Sequence, residues 1–260
     1  MASRIVLALL FLALPGLALA GIHTEEVVYQ HDGDEMTGFL ARPAGDGPHP
    51  GVLVVHEWWG HNDYARARAE RLAREGFAAF ALDMYGSGQV ADHPSEAGEF
   101  ASHIRENREL MLGRFEAAYD WLRAHEGVAD QPLAAIGYCF GGTVVLEAAR
   151  AGANLALVAS FHGALATEHP AQPDAVKAEI LVFNGAADPM VPPEQVAGFR
   201  EEMDAAGARY TLVDFAGVVH SFTNPEADAI AERFGMPVGY DARADHDSWG
   251  HLMAVLQDRL

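Results

Sequence analysis

Leu133-Ala134-Ala135-Ile136, followed by Gly137-Tyr138-Cys139-Phe140-Gly141-Gly142 and a helical stretch from Gly142 to Ala151, is the segment on which the fold turns. The short apolar run reads as a buried strand. The Gly-x-Cys-x-Gly after it reads as a sharp strand-to-helix turn carrying one reactive side chain. Glycines flank that side chain because strand and helix come too close there for Cβ atoms. The turn sets Cys139 at a helix N-terminus, where free N–H groups and the helix dipole favour a thiolate and a developing oxyanion. Taken alone, the segment also fits a buried structural cysteine in a glycine-rich turn.

The same alternation extends in both directions from this turn. Glu25 to Gln30 and Met36 to Ala41, around His31-Asp32-Gly33-Asp34, predict a β-hairpin. Val52 to Val55 is a continuous β-branched run, the pattern of a strand covered on both faces. Asn62 caps a helix to about Glu75, and Gly76 stops it. Phe77 to Leu82 is a strand. Residues from about Glu96 to His125 read as helical, with Met111, Leu112, Phe115, Ala118 and Leu122 on one face. Leu155–Phe161, Ile180–Asn184 and Tyr210–Phe215 are further strands, and Pro193 to Ala206 is a helix. Glu226 to Phe234 and Arg243 to Leu260 close the chain as helices. Apolar strands alternating with helices predict an α/β fold with a mostly parallel central sheet, an N-terminal β-hairpin and helices on both faces.

In such sheets chemistry gathers at the carboxyl ends of the strands. Cys139 follows one strand. Asp188 follows Ile180–Asn184, in Gly185-Ala186-Ala187-Asp188-Pro189. His220 follows the last strand. Nucleophile, acid and histidine stand in the order that an α/β-hydrolase fold requires, each behind its own strand. The chain has 13 histidines, so position rather than residue type singles out His220. After the first core strand come His56-Glu57-Trp58-Trp59-Gly60, which nominates the backbone amides of Trp58 and Phe140 as oxyanion donors. His56-Glu57 is no helical zinc motif, because position 60 is glycine and the segment ends a strand. No cofactor or metal signal is left.

The whole chain has 260 residues, with 37 acidic against 17 basic side chains and a formal charge of −20. That balance argues against nucleic-acid and anionic-membrane partners. Met1 to Arg4, the apolar run Ile5 to Leu19 and the small residues at Ala18 and Ala20 predict a signal peptide over residues 1–20. A periplasmic or secreted α/β domain over 21–260 would follow, with no stable membrane anchor. Cys139 is the only cysteine. It therefore cannot form an internal disulfide and is either inert or a working thiol.

His56-Glu57-Trp58-Trp59-Gly60, Asp83-Met84-Tyr85-Gly86, the Cys139 turn, Gly185-Ala186-Ala187-Asp188 and His220-Ser221-Phe222 together resemble the dienelactone hydrolase family, from about Pro50 to Leu260. The resemblance implies a carboxymethylenebutenolidase-like carboxylic ester or lactone hydrolase. Its triad would be Cys139, His220 and Asp188, and it would pass through a thioester. The resemblance further implies that Glu57 gates the thiol and takes its proton when substrate arrives. A free thiol, with a pKa of ~8.5, needs such activation at neutral pH. The substrate-binding arginine of the family falls at Arg105 or Arg108, which one helical turn would put on a shared face. Trp58, Trp59, Tyr85 and Tyr138 are candidates for an aromatic wall, with Tyr85 and Tyr138 as substrate contacts and Trp59 as core. Phe222 and Tyr240 are candidates from a covering segment, Thr223 to Tyr240. The expected partner is a small ester or lactone, and the expected state a monomer or weak dimer. Two other readings stay open: a broad esterase or thioesterase without a carboxylate requirement, and a non-catalytic exported binding protein on the same scaffold.

Overall fold

The computed structural model describes residues 21–45 and 47–260; the expected signal peptide lies outside them. The hairpin is β1 (Ile22–His31) and β2 (Asp34–Pro43), turning through Asp32 and Gly33 at positive φ. The core strands are β3 (Gly51–Val55), β4 (Ala78–Leu82), β5 (Leu133–Tyr138), β6 (Leu155–Phe161), β7 (Glu179–Gly185) and β8 (Tyr210–Phe215). They form one sheet in the order β1-β2-β4-β3-β5-β6-β7-β8. The hairpin and its pairing with β4 are antiparallel, and every other pairing is parallel. This is the α/β-hydrolase architecture expected above.

The helices are α1 (Asp63–Arg74), α2 (Pro94–Arg105), α3 (Arg108–Ala124), α4 (Phe140–Arg150), α5 (Pro193–Ala205), α6 (Ala227–Phe234) and α7 (Ala242–Arg259). Successive residues of a strand point to opposite faces, and β3 shows the result. Leu53 and Val55 join one apolar layer with Met111, Phe115, Val144 and Phe199 from α3, α4 and α5. Val52 and Val54 join the other, with Leu72 from α1 and Trp249 and Leu252 from α7. Both faces of the strand are buried, which is why it carries no polar alternation.

One expected element divides. The helical stretch from about Glu96 to His125 is two helices, broken at Glu106 and Asn107. Asn107 leaves helical geometry and accepts the Leu110 N–H on its own side-chain oxygen, capping α3. The apolar spacing continues across the break, so periodicity alone did not mark it. Asn62 caps α1 as expected, accepting from the Tyr64 N–H. No helix of the described residues is long and apolar enough to cross a membrane.

Candidate active site

β5 runs into α4 with a single residue between them. Cys139 is that residue, at φ 52° and ψ −115°. This strained backbone is held from both sides: the Cys139 N–H donates to the Phe161 carbonyl at 2.9 Å, and the Gly141 N–H to the His56 carbonyl at 3.1 Å. A Cβ on Gly137 would strike the Gly141 carbonyl, and one on Gly141 the Val55 carbonyl. The two glycines thus let the crossing close, and the crossing lifts Cys139 to the carboxyl edge of the sheet.

β7 delivers Asp188 and β8 delivers His220 to the same edge. His220 Nδ1 lies 2.7 Å from Asp188 Oδ2, with both residues buried. The Met190 N–H donates to the other carboxylate oxygen at 2.8 Å, so Asp188 is oriented through its own turn. The carboxylate holds a proton on Nδ1 and leaves Nε2 as the nitrogen that can exchange a proton with the reacting groups. Nε2 is buried beside Cys139. Burial alone would lower the His220 pKa. Its interactions with Cys139 and with the Asp188 carboxylate outweigh it and push the imidazole up to about 10.

Cys139 and His220 line one cavity of about 300 Å³ with Trp58, Trp59, Arg105 and Phe140. Its outer wall is Met190, Ile230, Met236 and Val238. The segment from Thr223 to Tyr240 does cover the site, but Ile230, Met236 and Val238 do so rather than Phe222 or Tyr240. The Phe222 side chain is fully buried in the sheet layer. Among the described residues the amides of Trp58 and Phe140 are not engaged with other protein groups. The loop of Trp58 is pinned by the Tyr85 hydroxyl, which donates to the Trp58 carbonyl at 2.9 Å.

Several expected contacts move. Tyr138 does not reach the cavity: alternation along β5 turns it to the opposite face, stacked on Phe161 beneath the Arg68 guanidinium. Tyr85 is buried behind Trp58 and holds its loop rather than facing the cavity. Trp59, expected in the core, is both buried and part of the cavity wall. Arg105 ends α2 and Arg108 begins α3, so the single helix expected to carry both is absent, and only Arg105 lines the Cys139 cavity. Arg108 Nε is committed to Glu147 Oε2 at 3.1 Å, inside a network with Arg150 and Glu202. Arg105 makes one side-chain bond, from Nε to the Ala101 carbonyl, and reaches the cavity of Cys139.

Glu57 is buried just outside the cavity wall. Asn224 Nδ2 donates to its Oε2 at 2.6 Å and Ser221 Oγ to its Oε1 at 3.3 Å. Burial pushes its carboxyl up, against those two hydrogen bonds and the charges of His220 and Arg68. Burial therefore opposes its ionisation. Such a group adds stability below its ordinary range, and that stability is lost as pH rises through the raised value. Glu57→Gln carries no such penalty. Its melting temperature relative to wild type is expected to climb as pH rises from the ordinary carboxylate range, and thermal melts at a series of rising pH values would contradict this by a flat or falling difference.

The sequence assigned no individual role to Ser221, Thr223, Asn224 or His162. His162 follows β6 at the same carboxyl edge, so the rule that found Asp188 and His220 also points to it.

The geometry agrees with what the chain is similar to. The model of the dienelactone hydrolase family matches residues 36–260. The crystal structure of a dienelactone hydrolase-like promiscuous phosphotriesterase from metagenomic libraries superposes with a TM-score of 0.87 at 34% identity, covering 92% of this chain and 99% of that one. A Bradyrhizobium protein named "Probable 2-oxo-3-(5-oxofuran-2-ylidene)propanoate lactonase" is 31% identical over 87% of this chain and 90% of its own. Protein usf of Aquifex pyrophilus is 28% identical over 90% of this chain and 98% of its own.

Proposed function

This chain belongs to the dienelactone hydrolase family, and we propose that it hydrolyses small carboxylic esters and lactones through a thioester on Cys139. The observation that carries the reading is the placement of Cys139 at the head of α4, facing the same cavity as a histidine tied to a buried aspartate. Glu57 takes up the Cys139 thiol proton, His220 stands as the imidazolium, and the sulfur adds to the substrate carbonyl carbon. The Trp58 and Phe140 amides hold the resulting oxyanion. As the carbonyl re-forms, the C–O bond to the leaving group breaks and His220 gives that oxygen its proton. Water, deprotonated by His220, then attacks the thioester and expels the thiolate. In a lactone the leaving oxygen stays tethered to the acyl group.

Glu57 is the proposed gate. In the present arrangement Ser221 and Asn224 hold it, so it reaches the thiol only by leaving both donors. Arg105 is the proposed anchor for a substrate carboxylate, because Arg108 is already paired. Apart from Thr143 and Ser221 the remaining wall is apolar, which suits a compact unsaturated or aromatic acyl group.

A panel of carboxylated lactones, neutral lactones and aryl esters tests the reading. Arg105→Ala is expected to raise KM for the carboxylated substrates about 10-fold or more, leaving neutral esters within about twofold. Arg108→Ala is expected to change neither ratio. Equal losses on charged and neutral substrates would instead favour a broad esterase without a carboxylate requirement. Export with loss of residues 1–20 is proposed on the sequence pattern alone; N-terminal sequencing of exported protein checks it by whether the chain starts at Gly21.

A further inference from the structure

The nucleophile's amide has a second acceptor that the reaction sequence above does not use. Besides the Phe161 carbonyl, the Cys139 N–H points at His162 Nδ1, 3.1 Å away. That bond requires Nδ1 to be unprotonated, so the ring hydrogen sits on Nε2. Nε2 lies 2.7 Å from Thr223 Oγ1, and that oxygen lies 2.7 Å from the Tyr64 hydroxyl. His162 and Thr223 are fully buried.

His162 also occupies a costly backbone. Its φ is 42°, a region that residues with a side chain seldom enter. The strain turns the ring back beneath the Cys139 turn instead of outward past the end of β6. There its centroid lies 5.1 Å from that of His220, edge to face, and 5.2 Å from that of Phe222. Tyr64, Tyr138 and the Arg68 guanidinium complete the polar surroundings, with Arg68 donating to the Thr223 carbonyl.

One side chain thus touches the nucleophile's own N–H, the ring of the base and the loop that carries the base. The pairing of His220 with Asp188 fixes the base relative to β7 only. The Cys139 turn is fixed to β6 and β3 through backbone bonds. His162 and Thr223 join these two halves. We propose that His162 is a positioning residue that couples the Cys139 turn to the His220 loop through Thr223 and so sets the nucleophile against its base. This rests on the reading of Cys139 as nucleophile.

Three variants separate the two ends of the link. His162→Leu removes both bonds. His162→Asn keeps an acceptor near the Nδ1 position for the Cys139 amide. Thr223→Val removes the far bond while preserving shape. The readouts are kcat and KM on an aryl ester, and the rate of iodoacetamide alkylation of Cys139 as a function of pH. Positioning predicts that His162→Leu and Thr223→Val lower kcat at least ~10-fold with KM nearly unchanged, and shift the midpoint of the alkylation curve. His162→Asn is expected to recover part of both effects. A merely structural role would scale the reactive fraction without moving the midpoint, and that result would overturn the inference. So would wild-type kcat in a folded Thr223→Val protein, which serves as the test should His162→Leu not fold. Full activity in Cys139→Ala would instead overturn the nucleophile reading, so the two failures are told apart.

Discussion

Cys139→Ala is expected to lower kcat/KM on an aryl acetate or a dienelactone by at least ~10⁴-fold, with a melting temperature close to wild type. The loss is expected to be large because the proposed reaction bonds the sulfur to substrate, and the amides and His220 cannot replace a missing nucleophile. The fold should tolerate the change. The bonds that hold the turn come from the Cys139 backbone, to Phe161 and His162, and alanine keeps them. The positive φ at this position strains alanine about as much as cysteine. The sulfur faces a cavity rather than a packed core, so truncation opens little new void. Activity measured beside a thermal melt decides the matter, and a folded variant with near-normal turnover would remove Cys139 from the chemistry.

Asp188→Asn is the second large effect, expected to cost about 10³- to 10⁴-fold in kcat. The carboxylate accepts from His220 Nδ1 at 2.7 Å and so leaves Nε2 able to take a proton. An asparagine amide facing Nδ1 favours the other tautomer, with Nε2 protonated and useless as a base. Removing the negative charge also withdraws one of the forces that hold the imidazole up to about 10. The acid limb of the kcat/KM profile should therefore move in the variant as well as its height. His220→Ala should fall to a similar level, and the double variant little further, because the two act as one unit. Additive losses in the double variant would mean that they act separately. The Met190 N–H bond to Asp188 belongs to the turn itself, so asparagine can retain it and the loop should stay in place.

The layout of the sheet was legible in the sequence because buried parallel strands admit almost nothing but apolar residues, and β3, β4, β5 and β6 are written that way. The three proposed catalytic residues were legible for a related reason: Cys139 directly follows such a strand, and Asp188 and His220 lie in the loops after β7 and β8, where the architecture leaves side chains at an open edge. Three kinds of feature escaped. The break between α2 and α3 is set by Asn107 bonding its own backbone, an event that apolar periodicity does not record. It misplaced Arg108 relative to Arg105. The facing of Tyr138 depends on the strand running two residues beyond Ile136, as far as Tyr138. Once β5 is that long, alternation sends Tyr138 away from the cavity. The buried links of Glu57 to Asn224 and of His162 to Thr223 span more than 60 residues of sequence, and no local pattern announces such pairs.

The central claim is that hydrolysis passes through an acyl group on Cys139. Mass spectrometry of protein quenched in acid during turnover of an activated aryl ester tests it most directly, and Asp188→Asn, with its slowed thioester hydrolysis, offers the longest window. The account predicts one acyl adduct per chain, on the peptide containing Cys139, removed by hydroxylamine and absent from Cys139→Ala. Turnover that proceeds with no acyl mass on Cys139, or with the adduct on another residue, would contradict it.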